Sequence, residues 1–117
     1  MENEFEPQLA AKKDLTSTEE GHLTVDVYQS GDDIVIRSTI AGTDPNDIDV
    51  SITKDMVTIR GQRSSEEKIR STEYYHRELY WGSFSRSVIL PSEIDPDSAK
   101  ASIKNGILTI RLPKVKK

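Results

Sequence analysis

The chain has 117 residues, of which 34% are hydrophobic and 31% are charged, and its net charge at pH 7 is -4. This length suits one compact domain, and the lean core predicts that folding depends in part on a partner subunit. The acidic balance argues against nucleic acid as the main partner. Without cysteine there is no disulfide framework and no thiolate metal site.

The apolar runs of the sequence are short. None approaches the roughly 20 residues of a membrane span, so we expect no membrane-spanning segment. The acidic start of the chain also lacks the apolar stretch of a signal peptide. Together with the absence of cysteine, this predicts a protein of the reducing cytoplasm.

Residues 1–21 are polar and charged and predict a flexible N-terminal arm. Phe5, Leu9 and Leu15 are its isolated apolar residues, and residues 7–13 are compatible with a short helix. Either the arm is a disordered tail, or its apolar residues contact a client protein or another subunit.

From His22 onward, apolar residues alternate with polar ones, which predicts strands rather than helices. Seven short stretches show this pattern, with turn residues between them. Such stretches predict an all-β sandwich with polar outer faces. The residues expected on the inward faces are, in chain order, Leu23, Val25 and Val27; Ile34, Ile36 and Ile40; Ile48, Val50 and Ile52; Val57 and Ile59; Phe84, Val88 and Leu90; Ala99, Ala101 and Ile103; and Leu108, Ile110 and Leu112.

Two stretches, residues 44–52 and 95–103, resemble each other. Both begin with Asp-Pro and have the same spacing of apolar residues, so each predicts a turn that leads into a strand in the same phase. If these strands lie at facing edges of the two sheets, their apolar residues form the floor of a shallow open groove. The six groove residues are Ile48, Val50, Ile52, Ala99, Ala101 and Ile103.

A long segment separates Arg63 from Ser83, with about twenty residues where an ordinary hairpin loop is much shorter. Its first half, SSEEKIRSTE, is polar, and its second half, YYHRELYWG, is rich in aromatic residues. An aromatic stretch of this kind usually packs against something. It is either a lid over its own sandwich or an extra strand that reaches another subunit.

No constellation of residues predicts an enzyme. His22 and His76 are far apart and have no further zinc ligands in a recognisable motif. Residues 82–86, GSFSR, lack the second glycine of a nucleophile elbow, and a strand follows them. The acidic residues 44–49 do not fit a calcium loop, and the scattered glycines form no phosphate loop. The sequence therefore predicts a binding or assembly module without metal or cofactor.

Three segments resemble the α-crystallin domain of small heat-shock proteins. They are IVIRSTIAGTDPNDIDVSITKDMVTIRGQR (residues 34–63), YWGSFSRSVILP (residues 80–91) and AKASIKNGILTIRLPK (residues 99–114). The resemblance covers about residues 22–114. It implies a seven- or eight-stranded immunoglobulin-like sandwich and an ATP-independent holdase, a stress-response chaperone that binds partly unfolded clients and prevents their aggregation. The alternative is a p23-like co-chaperone or adaptor that binds folded partners.

The resemblance also implies a homodimer, in which a strand within the long segment, residues 74–78, swaps onto residues 23–28 of the partner. Arg86 corresponds to a strand arginine that forms ion pairs at or near the dimer contact. The dimer interface residues expected on this basis are Leu23, Val25, Val27, Tyr74, Tyr75, Arg77, Glu78, Tyr80, Trp81 and Arg86.

In proteins of this family, the groove accepts an Ile-x-Ile motif from a C-terminal tail and so joins dimers into larger oligomers. After the domain, residues 22–114, only residues 115–117 remain, and they contain no such motif. We therefore expect a truncated tail, either natural or trimmed, and the formation of oligomers beyond the dimer stays open.

Overall fold

The structure is a computed structural model that describes residues 21–65 and 67–116, together with the backbone of residues 2–5 and 8–9. Its described elements are strands and short 3-10 turns, and none of them is a helix long and apolar enough to cross a membrane. The turns are Pro45–Asp47, Ser71–Glu73 and Pro96–Ser98. The strands are β1 Glu2–Phe5, β2 Gln8–Leu9, β3 Gly21–His22, β4 Asp26–Ser30, β5 Asp33–Thr39, β6 Ile48–Ile52, β7 Met56–Arg63, β8 Gly82–Ile89, β9 Lys100–Lys104 and β10 Ile107–Pro113.

The strands form two five-stranded sheets that pack as a sandwich. The first sheet has the order β1-β9-β10-β5-β4, and the second has the order β2-β6-β7-β8-β3. Neighbours are antiparallel, except that β2 is parallel to β6 and β3 is parallel to β8. The predicted all-β sandwich is confirmed, and each of the seven predicted strands has a counterpart among β4 to β10.

The core lies between the sheets because alternate side chains of each strand point inward. Ile36 and Ile110 of the first sheet and Val57 and Ile59 of the second have no solvent exposure, and they belong to one hydrophobic cluster. Phe84 is the aromatic residue of this cluster. The inward faces read from the sequence are therefore largely confirmed.

The two Asp-Pro turns have the same construction. The Asp44 side chain accepts a hydrogen bond of 2.9 Å from the Asn46 N–H, and the Asp95 side chain accepts one of 3.1 Å from the Asp97 N–H. Each proline then begins a 3-10 turn, and a strand follows. The prediction that both turns launch strands in the same phase is confirmed.

The strand predicted at residues 23–28 is displaced in the structure. β4 begins only at Asp26, because β3 pairs with β8 in the second sheet and residues 23–25 must cross to the first sheet. Leu23 is buried at this crossing. The Ser38 hydroxyl donates a 2.7 Å hydrogen bond to the Thr24 carbonyl and fixes the crossing to β5.

The N-terminal arm also differs from its prediction where the structure describes it. β1 pairs with β9, and β2 pairs with β6, so these residues are strands rather than a flexible arm or a short helix. The physical reason is that β9 and β6 would otherwise be sheet edges with unpaired backbone groups, which readily accept a further strand. Leu15 and residues 10–13 of the suggested helix lie outside the described residues.

Candidate functional site

The predicted groove residues lie together along one side of the sandwich, on β6 and on β9 with the residue before it. Five of them have an exposure of 9% or less, and Ala99 packs against the same hydrophobic cluster. These residues therefore face the core, and the open groove stays a prediction. We keep the name side groove for Ile48, Val50, Ile52, Ala99, Ala101 and Ile103.

Two short strands of the N-terminal region, β1 and β2, pair with the strands that carry these residues. β1 pairs with β9 in the register Glu2 to Lys104 through Phe5 to Ala101, and β2 pairs with β6 in the register Gln8 to Ser51. Phe5 and Gln8 are three residues apart, which an extended chain spans with at most about 11 Å. β9 and β6 therefore lie close to each other in the two sheets, and β1 and β2 pair with one of them each.

The opposite side of the first sheet ends in β4. No strand of the described residues pairs with its outer side, and all five of its residues are exposed. Val27 and Tyr28 are 41% and 44% exposed. β4 is thus an open edge with apolar side chains, which can accept an added strand.

The long loop, residues 64–81, contains one 3-10 turn and no strand among its described residues. Tyr75 is 99% exposed and Leu79 is 73% exposed. The guanidinium of Arg77 lies 5.0 Å from the centre of the Tyr74 ring, within the range of a cation–π contact. Residues 74–78 therefore form an exposed, partly apolar segment, and Glu78 is also exposed.

The last two residues of the long loop are held by their own chain. The Tyr80 hydroxyl accepts a 3.1 Å hydrogen bond from the Gly21 N–H and donates to the Ser83 carbonyl. A Cβ on Gly21 would lie 2.7 Å from the Tyr80 ring, so a larger residue there would require the ring to move. Trp81 lies against Gly42. Tyr80 and Trp81 thus anchor the loop to the sandwich.

Arg86 is also engaged within the chain. Its Nη1 atom lies 2.7 Å from His22 Nε2 and donates a 3.1 Å hydrogen bond to the Leu23 carbonyl. A guanidinium has only donors, so the imidazole nitrogen accepts this bond. Arg86 therefore fixes the point where the chain crosses from β3 to β4.

Of the predicted interface residues, the structure brings Leu23, Tyr80 and Arg86 to the crossing, where Leu23 is buried, Arg86 is half-buried and Tyr80 is partly exposed. Val25 is half-buried and packs against the core. The sequence analysis missed Gly21 and His22, which hold this crossing. An exposed histidine close in sequence to a strand start carries no local signal, since its partner Arg86 is 64 residues away.

The residues with described side chains show no metal chemistry. No group of three or more His, Asp or Glu among them could hold a metal ion. The surfaces that remain are the exposed β4 edge, the exposed loop segment and the side groove, and all three suit protein segments as ligands.

Comparison with protein families gives a match over residues 26–117 to the model of the Hsp20/alpha crystallin family. The small heat shock protein C2 of Rickettsia felis is 34% identical over 109 residues, which is 93% of this chain and 63% of that protein. The spore protein SP21 of Stigmatella aurantiaca is 37% identical over 89 residues, which is 76% of this chain and 53% of that protein. The chain thus spans between half and two thirds of the length of these relatives.

Solved structures show the same architecture. Heat shock protein 16.0 of Schizosaccharomyces pombe superposes with a TM-score of 0.76 at 35% identity, covering 84% of this chain and 70% of that one. The hspA protein of Xanthomonas axonopodis superposes with a TM-score of 0.74 at 33% identity, covering 82% and 96%. The similarity therefore extends over the sandwich as well as the sequence motifs.

Proposed function

Because the chain belongs to the Hsp20/alpha crystallin family, we propose that it is an ATP-independent holdase of the cytoplasm. In this role it binds partly unfolded client proteins and prevents their aggregation. It acts as a chaperone rather than an enzyme and needs no cofactor. The comparisons give no support to the p23-like alternative.

The observations that carry the proposal are exposed apolar side chains in the long loop and an unpaired edge at β4 among the described residues. Tyr75 and Leu79 are mostly exposed in the long loop, and Val27 and Tyr28 are exposed on β4. Partly unfolded chains expose apolar side chains and unpaired backbone, which such a surface can bind.

The same surface supports a homodimer. Residues 75–78 are exposed in their own chain, Tyr74 is half-buried, and the outer side of β4 is unpaired within the described residues. We propose that this segment adds as a strand to β4 of a second copy, while the anchored Tyr80 and Trp81 fix where the swapped segment leaves its own sandwich. The added strand would satisfy the free backbone groups of β4.

A client aggregation assay tests the holdase. A heat-sensitive client is warmed without nucleotide, with and without a several-fold excess of the protein, and light scattering is recorded. We expect scattering to be suppressed without ATP. The double variant Tyr75→Ser/Leu79→Ser removes apolar loop surface, so it should suppress scattering less than the unchanged protein. Scattering equal to that of the client alone would contradict the proposal.

A further inference from the structure

We infer that His22 and Arg86 form a pH-responsive latch, which holds β3 on β8 while the imidazole is neutral and releases β3 when the imidazole is protonated. We use the name latch for Gly21, His22, Tyr80 and Arg86, which meet where the chain crosses between the sheets. This regulation goes beyond the proposed holdase, because it concerns how the chain holds its own crossing and its own long loop.

The bond at the centre of the latch requires a neutral imidazole. Arg86 Nη1 lies 2.7 Å from His22 Nε2, and a guanidinium has hydrogen-bond donors only. His22 Nε2 must therefore accept, which places the ring proton on Nδ1. A protonated imidazole carries a hydrogen on both nitrogens and has no acceptor left. Because imidazole is the side chain that changes charge between about pH 5 and pH 8, mild acid removes this bond.

The charges around His22 add repulsion to the lost bond. Arg86 of β8 lies directly against the ring, and Arg63 of β7 lines the same cavity of about 260 Å³ as His22 and Tyr80. Ser85, opposite His22 in β8, is uncharged. Among the described residues, no carboxylate lines this cavity. A protonated His22 therefore meets two guanidinium groups without an anion, and like charges repel each other.

Few other contacts hold β3. Its parallel register with β8 covers only two residue pairs, and the backbone bond from the Leu23 N–H to the Ser85 carbonyl is long, at 3.4 Å. The second bond of Arg86, 3.1 Å to the Leu23 carbonyl, comes from the same guanidinium. The Leu23 side chain is buried in the core. Loss of the His22 bond therefore frees β3 locally, and the release ends at Leu23.

The latch also contacts the long loop. The Tyr80 hydroxyl accepts a 3.1 Å hydrogen bond from the Gly21 N–H, and a Cβ on Gly21 would lie 2.7 Å from the Tyr80 ring. When β3 detaches, Tyr80 loses this donor and the backbone against its ring. Trp81 follows directly in the chain and lies against Gly42. Release of β3 therefore loosens the anchored end of the long loop.

The tautomer of His22 gives the first test, on the unchanged protein. Long-range 1H–15N NMR spectra at about pH 8 distinguish a ring proton on Nδ1 from one on Nε2, which the positions of the heavy atoms alone do not show. We expect the proton of His22 on Nδ1. A proton on Nε2 would exclude the acceptor role and overturn the inference.

Amide hydrogen exchange tests the release, with each rate divided by the intrinsic rate at the same pH. Between about pH 7.5 and pH 5.5, the amides of Gly21 and Leu23 should lose protection about tenfold, which corresponds to about 1.4 kcal/mol. Ile110 in the core should not change. An equal loss at Ile110 would indicate unfolding of the whole sandwich and would overturn a local latch, as would unchanged protection at Gly21 and Leu23.

The two histidines of the chain provide a matched pair of variants. His22→Gln keeps a side-chain acceptor that does not titrate, so this variant should lose the pH response at Gly21 and Leu23. His76→Gln, at an exposed position of the long loop, should keep the response in full. A response that persists in His22→Gln, or one that disappears in His76→Gln, would overturn the inference.

Trp81 is the single tryptophan of the chain, and its fluorescence reports on the anchored end of the loop. Its emission should move to longer wavelength at about pH 5.5 in the unchanged protein and in His76→Gln, but not in His22→Gln. Tyr80→Phe removes the hydroxyl that β3 contacts, so its emission should be shifted already at about pH 7.5. An equal pH response in His22→Gln would overturn the link between latch and loop. These readouts do not involve client binding, so the latch and the holdase can fail separately.

Discussion

The turn between β9 and β10 shows how single residues determine the ends of this sandwich. Asn105 and Gly106 both have positive φ, 53° and 76°, which asparagine and glycine tolerate best. The Gly106 carbonyl accepts a 2.7 Å hydrogen bond from the Ile40 N–H. The turn therefore reverses the chain and also ties it to the end of β5.

Gly31 and Gly106 both have a positive φ but differ in the space around them. Replacing each by alanine therefore separates the cost of backbone strain from the cost of steric crowding. Gly31 has φ of 60° and open space around it, whereas a Cβ on Gly106 would lie 3.2 Å from the Ala41 Cβ. We expect Gly31→Ala to lower the free energy of unfolding by about 1 kcal/mol, and Gly106→Ala by about 2 to 3 kcal/mol. Urea denaturation measures both. Equal losses would show that crowding at Ala41 contributes nothing.

At the scale of single residues, the sequence predicted those features that depend on neighbouring positions in the chain. Alternation identified the inward residues, such as Ile34 and Ile36, and Asn-Gly identified the turn. The sequence did not identify Gly21. Glycine is favoured there because of the Tyr80 ring, which is 59 residues away in the chain. Such long-range contacts leave no local pattern, so they cannot be predicted from one sequence.

Among the structural elements, the long loop is the one on which the proposed homodimer most depends. Its segment 74–78 is the proposed swapped strand, and Tyr80 and Trp81 anchor it outside that segment. We expect deletion of residues 74–78 to produce monomers, with a solution mass by light scattering slightly below the 13.2 kDa of the full chain, because the β4 edge of the partner loses its added strand.

The control for this deletion is the removal of residues 64–68, which is equally long and lies in the polar half of the loop. This variant should keep the mass of a dimer. If both deletions leave a dimer, the contact between subunits lies elsewhere, and the strand swap is wrong.

The sequence predicted which strands are present better than it predicted where they begin and end. It identified the seven strands that alternate over five or more residues, and it placed the groove strands through their shared Asp-Pro turns. It did not predict β1 and β2, because four and two residues are too few for a recognisable period. The sequence also placed residues 23–28 in one strand, since alternation continues through the point where the chain changes sheets.

For the molecule as a whole, both sheets contribute to one core, so they should unfold together. Ile110 and Ile59 lie in different sheets, and neither is exposed. We expect Ile110→Ala and Ile59→Ala each to cost about 2 to 5 kcal/mol in a single transition. Ile89→Ala, at a residue that is 82% exposed, should stay within about 0.5 kcal/mol. Two separate transitions would contradict a shared core.

The whole fold was accessible from the sequence because a sandwich follows from many short amphipathic strands, and the family motifs fix their order. The sequence could not predict whether the side groove is open. Apolar spacing on β6 and β9 predicts buried faces equally well whether or not further strands, here β1 and β2, pair with them.

The pairing of Glu2 with Lys104 joins residues that are about 100 positions apart in the chain. The ribosome makes β9 roughly 100 residues after β1, a delay of about 5 to 20 seconds at the usual elongation rates. During translation the acidic segment therefore precedes its partner strand. The pairing of β1 with β9 can therefore form only after the strands from β4 to β8 have been made.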